Sequence, residues 1–170
     1  PELLEVPNAF PVVYGEIQSR KNARRTILFY DHYDVQPAEP LELWETPPFD
    51  PSMREGKMFG RGVADNKGNL VSRLKLVESW LKTAGDVPCN FKFLVEGEEE
   101  IGSIHLEQYF RQYAQKFSCD GVVWEFGGVD EDERPTITLG VKGILYVELE
   151  AKGPKRDVHS ATAAIVDNPA

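Results

Sequence analysis

Residues Thr26 to Pro37 read TILFYDHYDVQP. Thr26-Ile-Leu-Phe-Tyr30 is a continuous apolar, β-branched and aromatic run, the pattern of a strand buried on both faces of a parallel sheet. The run delivers Asp31, His32 and Asp34 at its C-terminal end. In open α/β sheets, ligands collect in the crevice outside the carboxyl ends of the strands. His-x-Asp also has a physical logic: one imidazole nitrogen binds a metal while a nearby carboxylate takes the other N–H and fixes the tautomer. A histidine and an aspartate at a strand end are equally compatible with an ordinary turn, so the rest of the chain decides.

Outward from this stretch, strand and helix patterns alternate. Residues 12–17 read as a strand and residues 18–25 as a polar, basic turn. Five prolines between Pro37 and Pro51, with Trp44 and Phe49, mark a structured surface excursion of the kind found at substrate mouths. Residues 57–59 suit a short edge strand. The glycine-punctuated GRGVADNKG of residues 60–68 leads into a helix whose Leu70, Leu74, Val77 and Leu81 repeat on one face. Gly85 ends it. Residues 91–95 form the next strand, which runs into Glu96-Gly-Glu-Glu-Glu-Ile-Gly-Ser103. A second helix follows, with Leu106, Tyr109, Phe110 and Tyr113 on one face. Residues 121–124 read as a strand ending at Glu125, and residues 136–139 and 146–151 as further strands before a loop and His159. This order predicts a layered α/β domain with a mostly parallel sheet.

Composition narrows the function classes. The 170 residues suffice for a sizeable core, with 41% apolar and 11% aromatic residues. A net charge of −9 without a Lys/Arg cluster argues against a nucleic-acid surface. Cys89 and Cys119 lack the spacing of a disulfide framework or zinc knuckle and read as reduced thiols of a cytoplasmic protein. No apolar run reaches membrane-spanning length. The chain opens on Pro1 and stops at Ala170 without a closing element, which reads as truncation at both ends.

His32, Glu98 to Glu100 and Glu125 each follow a predicted strand, and Asp65 precedes a predicted helix, so the topology brings them to one sheet edge. Imidazole and carboxylate donors without thiolate suit Zn²⁺, Co²⁺ or Mn²⁺. Other readings exist residue by residue. Glu98 to Glu100 suit the positive end of a helix, Glu125 a turn, Asp65 a helix N-cap, and His105 a structural place on its helix. A Ca²⁺ loop is disfavoured, because its ligands would cluster in one short segment.

HYDVQP, GRGVADNKG, EGEEEIGS and DVHSA together resemble the successive signatures of the metallopeptidase family that includes carnosinase, carboxypeptidase G, aminoacylase and succinyl-diaminopimelate desuccinylase. DVQP and ADNKG resemble the carnosinase-like dipeptidase branch in particular. The resemblance implies a zinc-exopeptidase-like three-layer α/β/α catalytic domain over residues 1–141. It also implies the start of an α+β lid or dimerisation domain over residues 142–170. It implies two divalent metal ions, zinc foremost with manganese or cobalt as alternatives. His32 and Glu125 would hold one, Glu100 the other, and Asp65 would bridge them, followed by a cis bond to Asn66. Asp34 would orient His32. Glu99 would be the general base on a metal-bridging water, and His159 would polarise the scissile carbonyl in a partner subunit's site.

The implied activity is hydrolysis of a small peptide, of dipeptidase or carboxypeptidase type, in a homodimer assembled through the lid. N-acyl amino acid deacylation is the alternative within the family. An inactive fragment or assembly subunit is the alternative outside it. The sequence departs from the pattern at Asp31 and Ala161, where glycine is common, and at Phe126, where some relatives place aspartate. The family's second-metal histidine is not among these residues, so the second metal site reads as incomplete.

Overall fold

The structure is a computed structural model and describes residues 1–21, 23–125, 127–155, 159, 161 and 165. It divides into two units, Pro1–Ile137 and Thr138–Ala170. The first carries β1 (Glu2–Leu4), β2 (Val12–Ile17), β3 (Thr26–His32), β4 (Ser52–Arg54), β5 (Lys57–Phe59), α1 (Gly68–Ala84) and β6 (Asn90–Glu96). It continues with α2 (Leu106–Gln112), α3 (Ala114–Phe117), β7 (Gly121–Val123), β8 (Gly128–Val129) and β9 (Pro135–Thr136).

The main sheet has the order β1-β2-β6-β3-β7. β6 and β7 flank β3 in parallel, as the buried runs predict. β1 and β2 extend the sheet beyond β6 in antiparallel sense, so the sheet is mixed. A short connection joins β1 to β2 and accounts for their mutual antiparallel sense.

Strand periodicity distributes β3 between two cores. Leu28 and Tyr30 join Leu4, Val12, Tyr14, Leu94, Tyr109 and Phe117 on the α2 and α3 side. Phe29 joins Val87, Phe91 and Phe93 on the α1 side, with Leu70 and Val77 of the helix packed against them. Helices therefore cover both faces, and the three-layer expectation holds. Helix α1 ends as predicted at Gly85, whose φ of 71° suits the left-handed cap that glycine adopts without a Cβ penalty.

The predicted face of α1 is only half right. Leu70 and Val77 turn inward, whereas Leu74 and Leu81 are exposed. The inward position next to Leu74 belongs to Arg73, the buried residue of this helix. The second predicted helix is divided at Tyr113, whose φ of −117° leaves the helical region. Residues 57–59 are a strand as expected and pair with β4. Of the predicted strand at 136–139 only Thr136 takes part, in the β8–β9 pair. Residues 146–151 form no strand. Their alternation suggested one, but a strand exists only through a ladder, and Tyr146 and Leu149 are exposed. Among the described residues no helix is long and apolar enough to cross a membrane.

Leu94 is fully buried between β2 and β3. Leu94→Ala removes its contacts and leaves a cavity, so chemical denaturation should show a loss of about 2–5 kcal/mol with an unchanged denaturant slope.

Candidate metal centre

The site is built at the C-terminal ends of β3, β6 and β7. β3 and β6 run in register up to His32 opposite Glu96, and the Tyr33 N–H extends the ladder to the Glu96 carbonyl at 2.8 Å. Past these ends the two strands diverge into the Asp34 loop and the single 3₁₀ turn Glu99–Ile101. Asp65 lies in the wide turn Val63–Lys67 ahead of α1, and the peptide bond between Asp65 and Asn66 is cis.

The His32 ring is fully buried, with both nitrogens aimed at acceptors. Nδ1 lies 3.2 Å from the Asp34 carbonyl oxygen and 3.3 Å from Asp34 Oδ1. A carbonyl only accepts, so Nδ1 carries the hydrogen and Nε2 presents its lone pair. Nε2 lies 2.8 Å from Asp65 Oδ1, 3.7 Å from Glu125 Oε2 and 3.8 Å from Glu99 Oε2. A lone pair facing three carboxylates is stable only with a second proton or a cation between them.

The remaining carboxylates are held individually. Asp34 Oδ2 accepts from the Glu100 backbone N–H at 2.9 Å. Glu100 accepts from the Gln36 N–H at 3.2 Å and from Gln36 Nε2 at 3.0 Å. Asn66 is fully buried and bridges the strands: its Oδ1 accepts from the His32 N–H at 3.4 Å, and its Nδ2 donates to the Glu125 carbonyl at 3.1 Å. Gly97 is required by a close approach. A Cβ there would meet the Tyr33 hydroxyl at 2.2 Å, while that hydroxyl donates to the Pro11 carbonyl at 2.8 Å.

Electrostatics follow from burial. Glu125 is pushed up to about 7, first by burial and then by the charge of Glu99, against the pull of His32. Burial raises Glu99 as well, helped by Glu100 and Asp65 and opposed by His32. For His32, burial acts downward, but the bond to Asp65 and the charge of Glu99 outweigh it and hold the imidazole above its usual value. Glu125 Oε2 is buried without a hydrogen-bond partner. A divalent cation would reverse each of these shifts and occupy that orphaned oxygen. The donor set, imidazole plus carboxylate, fits Zn²⁺, Co²⁺ or Mn²⁺.

The structure brings together six of the seven expected residues. His32, Asp65 and Glu100 form one group whose ligand atoms lie within 4.8 Å of one another, and His32, Glu99 and Glu125 form another. Asp34 stands behind His32. His159 belongs to the second unit; Asp157 and Ser160 beside it, like Phe126, lie outside the described residues. Asp31 does not join the cluster. It turns toward α1 and pairs with Arg73 at 2.5 Å. Glu98 accepts instead from the Phe10 N–H at 3.1 Å and faces His105 Nδ1 at 2.9 Å, which gives both residues a structural place.

Sequence reasoning missed Gln36 and Arg73. Gln36 follows Asp34 by two positions and was a visible signal, whereas Arg73 is one of several charges on its helix and its burial depends on residues of other strands.

A buried imidazole ringed by carboxylates at strand ends defines a metal-centre class of site. The model of Peptidase family M20/M25/M40 matches residues 28–168. The chain belongs to this family. It is 35% identical over 162 residues to the human Beta-Ala-His dipeptidase, covering 89% of this chain and 30% of that protein. It is 34% identical over 157 residues to the Cys-Gly metallodipeptidase dug1 of Schizosaccharomyces pombe, covering 88% of this chain and 32% of that protein. Among solved structures, an M20 family metallo-carboxypeptidase from Sulfolobus solfataricus superposes with a TM-score of 0.81 at 45% identity, over 94% of this chain and 36% of the other. The chain thus spans about a third of the length of these relatives.

The raised Glu125 carboxyl has a measurable consequence. In the metal-free chain the folded state keeps its proton up to about pH 7, whereas the unfolded state releases it near pH 4.3. Stability therefore falls as pH rises between these values. Glu125→Gln lacks this loss. In thermal melts without metal, it should match the wild-type chain near pH 4 and exceed it at pH 8.

Proposed function

We propose that the chain carries the metal-binding part of a dinuclear peptidase that hydrolyses dipeptides or the C-terminal residue of small peptides. The observation that carries the reading is the convergence of Asp65, Glu99 and Glu125 on His32 Nε2, with Glu125 Oε2 left unpartnered. The Beta-Ala-His and Cys-Gly dipeptidases among its relatives support the substrate class.

Residues 1–141 form the catalytic part and residues 142–170 open a lid through which the intact protein dimerises. His32 and Glu125 would hold one divalent cation and Glu100 the other, with Asp65 a ligand to both. Such cations, zinc foremost, would supply Lewis-acid polarisation and lower the pKa of a bound water. Asp34 keeps the Nδ1 hydrogen of His32 in place, so Nε2 stays available as a ligand.

Glu99 takes a proton from the attacking water and returns it to the leaving amine. Its raised carboxyl suits this two-way transfer, because general acid–base catalysis is most efficient when the pKa approaches the working pH. His159 of the lid reaches a partner subunit's site and donates there to the carbonyl oxygen as negative charge develops. The unpaired Cys89 and Cys119 accord with a cytoplasmic protein.

Glu99→Gln keeps the shape but loses the base. In the intact protein, turnover of a dipeptide should drop by about 10²–10⁴-fold, with metal content by elemental analysis unchanged. Retained turnover removes Glu99 from its role. Chelation should abolish hydrolysis and added Zn²⁺, Co²⁺ or Mn²⁺ should restore it; full activity after chelation overturns the metal-dependent reading.

A further inference from the structure

The ladder between β3 and β7 pairs Ile27 with Gly121, Leu28 with Val122 and Phe29 with Val123, and ends there. On its other side β3 stays paired up to His32. Glu125 thus lies two residues beyond the last rung that ties its strand to the strand of His32. The Asn66 amide, between the His32 N–H and the Glu125 carbonyl, is one tie across this gap, and the gap has a second.

Arg73 provides it from α1. Its Nη1 donates to the Tyr30 carbonyl at 2.7 Å and its Nη2 to the Trp124 carbonyl at 3.1 Å. One rigid guanidinium fork therefore spans the backbones just ahead of His32 and of Glu125. The Trp124 ring stacks on Tyr30 with centroids 3.8 Å apart, closing the same junction. Arg73 is 7% exposed, and a guanidinium buried without a counter-charge is costly. Asp31, itself fully buried, lies 2.5 Å from Nη1 and supplies that charge. Asp31 and His32 alternate across the sheet, so the pair sits behind the cluster and leaves its donor atoms free.

We propose that Arg73, held in place by Asp31, is a positioning residue of the metal centre. Together with the Asn66 amide it replaces the missing rungs between β3 and β7 and sets the spacing of Glu125 from His32. The proposal rests on the metal-centre reading above. Arg73 acts through the backbone and touches no ligand atom. Lysine would not substitute, since its ammonium lacks the planar fork that reaches two fixed carbonyls.

The test is a Co²⁺ titration of the intact protein, followed by calorimetry and by the visible absorption of bound cobalt. Arg73→Lys and the double variant Asp31→Ala/Arg73→Met should each bind cobalt about 10–100-fold more weakly, with an altered spectrum. The double variant removes both buried charges together, so it keeps a neutral interior even where Arg73→Lys folds poorly. Phe117→Ala, which destabilises the core where α3 packs on Tyr14 of β2, should keep the wild-type affinity and spectrum. An unchanged affinity and spectrum in the double variant overturns the positioning role and leaves the metal centre standing. Absence of cobalt binding by the wild-type chain overturns the metal centre and this role with it.

Discussion

Negative charge crowded around one buried imidazole is the constraint that the rest of the structure answers. Two unit charges 4 Å apart interact by about 4 kcal/mol at an effective dielectric of about 20. A single intramolecular hydrogen bond contributes about 1 kcal/mol net. Local hydrogen bonds alone therefore cannot offset several carboxylates facing His32. In the metal-free chain the crowding shifts Glu125, Glu99 and His32 upward, the direction that favours holding a proton. A cation answers it by converting mutual repulsion into shared ligation. The scaffold then has to keep the groups apart enough to bind an ion and close enough to share it, and the braces through Asn66, Gln36 and Arg73 serve that spacing.

The four glutamates at the end of β6 and just past it show how one acidic stretch is divided among tasks. Glu96 is buried and accepts from Tyr30 and Ser103. Glu98 is bonded to Phe10 and His105, linking the β1–β2 connection to the start of α2. Glu99 faces His32, and Glu100 is gripped by Gln36. A helix-end reading of the run fails on geometry. The turn at Glu99–Ile101 is a single 3₁₀ turn, and α2 begins only at Leu106, too far along for its dipole to account for these charges.

What was legible in the sequence was what local chemistry determines. The β3 run, the strand ends bearing His32 and Glu125, the extent of α1 and its stop at Gly85 follow from apolar periodicity and glycine conformation. The sense of β1 and β2 was not legible, because a buried strand has the same pattern whether its neighbour is parallel or antiparallel. Arg73 and Leu74 could not be ranked by hydrophobicity, since burial of the arginine depends on Asp31 and on two carbonyls from other strands. Residues 146–151 have strand-like alternation, but a ladder partner is a tertiary fact. The ligand set was readable as motifs, whereas the side chains that hold it were scattered among them.

The Tyr33 ring fills the space that a side chain at Gly97 would need. Two stretches that are remote along the chain therefore share one steric allowance, and neither can change freely. A larger residue at 97 is admissible only with a smaller one at 33. The smaller one gives up the hydroxyl that tethers the Pro11 carbonyl, and with it the anchorage of the edge strands. The loop of one motif and the glycine of the other are thus a single steric unit.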